Sequence, residues 1–169
     1  MNTRLLGLGG TGRPLARGFT LIELLVVMAV LGILAAAVMP LGEAMVQAQK
    51  ERDLRAALWE IRSAIDEHKR LADKGFIAAG PAGTGYPASL GVLVVGVDDM
   101  RPGGTGRKLY FLRRLPRDPF APASLPAEAT WRLRSFASPP DDPKPGADVF
   151  DLRSWSDALG MDGTPHASW

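Results

Sequence analysis

The sequence predicts an α+β chain: a long N-terminal helix, its first half in a membrane, its second half packed on a small antiparallel sheet. Three observations carry that prediction. An apolar run from Phe19 to Met39 holds a single charge, Glu23. One amphipathic stripe follows between Leu54 and Ala72. The residues from Phe76 to Trp169 are rich in Gly and Pro and contain two short alternating stretches. A length of 169 residues suits one modest domain with an appendage.

Residues 1–18 hold Gly7, Gly9, Gly10, Gly12 and Pro14, and read as a polar, flexible segment. No charged residue occurs from Leu24 to Met39. Counted from Phe19, a helix over that run rises roughly 31 Å, about one hydrocarbon thickness. Arg4, Arg13 and Arg17 precede the run and none lies inside it. That asymmetry places the N-terminus on the cytoplasmic side and residues 40–169 across the membrane. Three readings compete. A buried helix of a soluble protein is opposed by the near-continuous apolarity. A secretory signal peptide has its basic flank, its apolar core and a small-residue site at Ala35, Ala36 and Ala37. Glu23 and the long leader oppose it. The third reading is a membrane helix retained in the mature chain, with processing before it.

Pro40 and Gly42 interrupt the apolar pattern, and a proline inside a helix tends to kink it. Beyond them Leu54, Ala57, Leu58, Ile61, Ala64, Ile65, His68, Leu71 and Ala72 recur at the spacing of one buried helical face. Lys50, Glu51, Arg52, Arg55, Glu60, Arg62, Asp66 and Lys69 form the other face. Arg62 with Asp66, and Asp66 with Arg70, are weak pairs one turn apart. Gly75 is the expected C-cap. The helix thus runs from Phe19 to about Lys74, on the order of 84 Å if unbroken. A coiled coil would need more heptads than this stripe supplies, which favours packing on a sheet. Trp59 falls outside the stripe and is expected at the edge of the head or against a neighbour.

In the head, "AAGPAGTGYPASL" is a loop leaving the helix and "RPGGTGR" a turn. "LGVLVVGVDD" fits a strand by its valines and a short helix by Leu90, Leu93 and Val94. "ATWRLRSFA" alternates, with Trp131, Leu133 and Ser135 on one side and Arg132, Arg134 and Phe136 on the other. "DVFDLRS" alternates around Phe150, with Val149 and Leu152 out of phase, and "SPPDDPKPG" connects the two. About three strands against the helical stripe are expected.

The net charge of +2 argues against nucleic acid as a partner. The basic excess resides in the leader: residues 19–169 hold 17 basic against 18 acidic side chains. Without cysteine there is no disulfide, thiolate metal site or Cys nucleophile. No phosphate-binding glycine loop, HExxH motif or nucleophile elbow occurs. His68 and His166 are far apart, and His68 reads as a packed residue. Asp98–Asp99 and Asp141–Asp142 read as solvated loop pairs. The chain is therefore expected not to be an enzyme.

The stretch "RGFTLIELLVVMAVLGILAAAVMP" closely resembles the N-terminus of type IV pilins and of the pseudopilins of type II secretion. The resemblance implies cleavage by a prepilin peptidase between Gly18 and Phe19, N-methylation of Phe19, and a role for Glu23 in assembly. A carboxylate at mid-bilayer depth costs about 2.5–3.5 kcal/mol, so Glu23 needs a partner. The new amine at Phe19 is positively charged near neutral pH. Its own amine and a neighbouring subunit's are the two candidates, and the resemblance favours the neighbour's. Hydration of Glu23 near the headgroups is the alternative.

"GYP", "LRRLPRDPF", "DVFDLRS" and "DGTPHASW", in that order, look like the head of the major (G-type) pseudopilin. That resemblance implies a pilin-like fold and a structural subunit of a type II secretion pseudopilus. The subunit would be a single-pass protein of the bacterial inner membrane with a periplasmic head. Its partners would be membrane lipid, prepilin peptidase, other pseudopilin subunits and the inner-membrane secretion assembly platform. Calcium in the C-terminal loop is implied as well, with Asp157 and Asp162 and backbone carbonyls as ligands. The segment from Ser154 to Trp169 lacks the family's longer glycine- and acid-rich insertion, and Asp162–Gly163 also reads as a simple turn. The alternatives are a pilin of a type IV pilus, serving adhesion, motility or DNA uptake, and a soluble exported binding domain released at the alanines.

Overall fold

Residues 18–104 and 106–169 are described by the computed structural model, with the side chains of residues 37, 39 and 40 excepted. The expected leader, apart from Gly18, lies outside the described residues. The chain divides into two units after Gly42.

Helix α1 spans Leu21–Asp73. Positions 40 and 42, expected to interrupt the pattern, lie inside it. A proline removes a single ladder bond, and one such loss does not by itself end a helix of this length. Its end follows the glycine expectation closely. Gly75 takes φ +69°, its N–H donates to Ala72 O at 2.9 Å, and Phe76 N–H donates to Leu71 O at 3.0 Å. These are the two bonds of a Schellman cap.

Among the described residues four strands follow, in two separate ribbons rather than in the single sheet of three or so expected. Helix α2, Leu90–Val95, leads through Gly96 into β1, Val97–Asp98. The ambiguous "LGVLVVGVDD" is thus both things in turn, a helix and then a strand. Gly96 has φ +80°, and a Cβ there would meet Leu109 O at 2.9 Å, so this junction takes only glycine. Strand β1 pairs antiparallel with β2, Lys108–Leu109. Strand β3, Trp131–Arg134, pairs antiparallel with β4, Asp151–Ser154, with Leu133 opposite Leu152 and Arg132 opposite Arg153. Short 3-10 turns at Ala127–Thr130 and His166–Ser168 complete the head.

Its core lies where the helical stripe predicts. Leu54, Leu58, Ile61 and Ile65 of α1 are buried with Leu90 and Leu93 of α2, Leu112, Trp131, Val149 and Leu152. Each such side chain contributes about 1.5–3 kcal/mol by leaving water. His68 extends the stripe: it is buried, and its Nδ1 lies 2.9 Å from Gly85 O. The expected Arg62–Asp66 and Asp66–Arg70 pairs do not form. Arg62 Nε instead donates to Asp151 at 2.9 Å, and Arg70 pairs with Glu67. A long guanidinium on the rim of a core gains more from a sheet carboxylate and free carbonyls than from a solvated neighbour one turn away.

Inside the head, aspartates organise loops. Asp118, from the distinctive "LPRDPF", accepts from Phe120 N–H, from the Ser154 hydroxyl and from Trp155 N–H, each at 2.7 Å. Asp148 accepts from Thr84 and Ser135 hydroxyls at 2.6 Å and from Phe136 N–H at 2.9 Å. Both are buried. Charge-assisted bonds of this kind offset the cost of desolvating a carboxylate.

Candidate assembly site

The site predicted around Gly18, Phe19 and Glu23 occupies the start of α1. Gly18 and Phe19 precede the helix in extended, exposed chain, and a Cβ on Gly18 would meet no atom within 4 Å. Thr20 caps the helix: its Oγ1 accepts the Glu23 N–H at 3.3 Å, and its carbonyl accepts the Leu24 N–H at 3.1 Å. Threonine followed three residues later by glutamate is the spacing of a capping box. Glu23 thus sits in the first turn, where the helix dipole favours an acid. Among the described residues no cation bridges its carboxylate. The threonine's part was legible in "FTLIE" as a T-x-x-E before an apolar run, a signal the membrane reading obscures.

From Leu24 to Ala36 the helix offers only apolar surface. Every residue from Gly18 to Ala36 is exposed, Phe19 to 79% and Ile33 to 72%. An 18-residue window within α1 has a mean hydropathy of 2.8, with none of it buried. A helix apolar on all sides belongs in lipid or among other apolar helices.

Residues 13–39 match the prokaryotic N-terminal methylation motif. The motif is a prepilin-type signal, and the chain is pilin-like in this respect. It brings with it processing by prepilin peptidase and assembly with other pilin-like subunits. With the apolar helix, it constitutes a single-pass membrane anchor. The match does not extend into residues 40–169. No solved structure matches the chain.

The second predicted site, Asp157 with Asp162, is not brought together as a cation would require. Asp157 is held by Arg132 through two bonds of 2.7 and 2.9 Å. Asp162 accepts from Arg55 at 3.0 Å and from the hydroxyl and N–H of Thr164. Among the described residues no three His, Asp or Glu side chains converge on one point. Calcium wants six or more hard oxygens, and these residues do not fit it.

Protein contacts do the fastening there instead. Buried Glu51 of α1 accepts the Met161 N–H at 3.0 Å and Gln47 Nε2 at 2.9 Å, and faces His166 Nε2 at 3.7 Å. His166 is fully buried between Phe120 and Trp169. Arg55 stacks on Trp169 at 3.8 Å while pairing with Asp162. Burial pushes the Glu51 carboxyl up, but the bonds from Gln47 and Met161 and the nearby His166 outweigh it and hold it below its ordinary value. From sequence, Glu51 is set on the solvated face because of its charge. It lies one step before Leu54 on the buried stripe, and only its charge hid it.

Proposed function

We propose that the chain is a structural subunit of a type II secretion pseudopilus. It is stored in the inner membrane, processed between Gly18 and Phe19, methylated at Phe19 and assembled into a periplasmic filament that drives protein export. Its action is mechanical, not catalytic. The observation that carries this reading is the exposed, uncharged stretch of α1 from Leu24 to Ala36, which lies within the methylation motif of residues 13–39. Such a surface is satisfied by lipid before assembly and by like helices after it. Glu23 then meets the Phe19 amine of a neighbouring subunit, and the cost of its charge in apolar surroundings becomes a bias toward assembly. The order of "GYP", "LRRLPRDPF" and "DVFDLRS" supports a secretion pseudopilin over a type IV pilus pilin.

N-terminal sequencing of the protein extracted from membranes tests the reading. The expected first residue is methylated Phe19; a start at Val38 would overturn it in favour of a signal peptide. Glu23→Leu is expected to leave insertion and cleavage intact and to abolish filaments. Normal filaments from that variant, seen by electron microscopy, would remove the pairing role.

A further inference from the structure

The outward face of the β3–β4 ribbon carries more positive charge than the head compensates. Arg132 and Arg153 are direct cross-strand partners, so their side chains leave the same face side by side. Like charges so placed destabilise a ribbon. Arg134 lies on the same face, and Arg62 reaches this face from α1. Two acids answer these four guanidinium groups. Asp151 takes Arg62, which also donates to the Leu152 and Trp169 carbonyls, and Asp157 takes Arg132. Arg134 rests on the Phe150 ring at 4.5 Å, and its buried Nε has no partner among the described residues. Arg153 bridges no carboxylate among them, and the acid acting on it is Asp157, which Arg132 already holds.

Two cavities share Arg132, Arg153 and Pro143 as walls; the first lies on this face, and the second also touches Trp131 and Leu133, which alternate to the opposite side of the ribbon. The first, about 260 Å³, contains the arginines. The second, about 520 Å³, is walled by Ala129, Trp131, Leu133 and Pro145. Glu128 on its rim is turned toward the Gly91 N–H. A cationic half next to an apolar half is the arrangement of a small-molecule site, and the volumes suit one.

We propose that this face binds an organic carboxylate with an apolar body, independently of the filament reading. The carboxylate lies between Arg153 and Arg134, where it relieves the Arg132–Arg153 repulsion and can be gripped by a guanidinium fork. The apolar body fills the cavity beside Leu133 and Pro145.

Titration of the full chain in detergent micelles, followed by NMR of arginine Nε–H and leucine methyl groups, tests this with isovalerate as probe. Saturable shifts at Arg134, Arg153 and Leu133 are expected. Arg153→Gln should weaken binding at least about tenfold while its thermal melt shows the fold retained. Inorganic phosphate should shift the arginine signals alone, and more weakly. Absence of saturation, equal titration by phosphate, or unchanged affinity in Arg153→Gln would each overturn the proposal.

Discussion

Buried ionisable side chains set how the head responds to acid. Asp148 is drawn up by burial, but bonds from Ser135, Thr84 and the Phe136 N–H leave its carboxyl below the ordinary value, as for Glu51. Asp99 is held at about 2, mainly by the Arg101 guanidinium. A depressed acid contributes stability that is complete above the unfolded value and is lost as pH falls through the folded one. Burial lowers His68, which therefore favours the folded state only while neutral. The melting temperature should thus begin to decline below about pH 6.5 and fall more steeply below about pH 4. Circular dichroism melts across that range check this. The double variant Glu51→Gln, Asp148→Asn should flatten the lower limb alone, with Asp99, Asp157 and Asp162, all held below their ordinary values, keeping a residual slope. Such residues are poorly legible in sequence, because a charge inside a stripe reads as solvent-facing until its partners, here as distant as Met161, are known.

Among the elements, α1 was the most legible, since nine positions from Leu54 to Ala72 repeat one period and glycine marks the stop. Its two faces differ sharply in what they support. Ile61 is fully buried, whereas Trp59 is 74% exposed. Ile61→Ala should cost the head about 2–5 kcal/mol, and Trp59→Ala about 0.5 kcal/mol or less. Denaturant titrations of the full chain measure both. The strands were less legible. β1 and β2 have two residues each, and so short a run displays no period. "ATWRLRSFA" and "DVFDLRS" were recognisable because four paired positions suffice to show alternation. Nothing local revealed that the pairs would form separate ribbons, since that depends on how α2 and the loops fill the core.

For the molecule as a whole, the head is closed by side chains. Glu51, Arg55 and Arg62 each reach the segment from Asp151 to Trp169. With these contacts closing the head, addition of EGTA is expected to leave its thermal melt unchanged; a fall of several degrees would reveal a bound ion. The methylation motif of residues 13–39 was legible because it is a local string. The Glu51–His166 clasp was not, because its members are assembled only by folding.

That clasp also dictates timing. The bond from Met161 to Glu51 spans 110 residues, and those from Arg55 to Asp162 and from Arg62 to Trp169 span 107 each. Contacts of such high order cannot form on a partly synthesised chain. The ribosome must release nearly all of the head before these contacts can close, so this end of the nascent head stays open until its synthesis is almost complete.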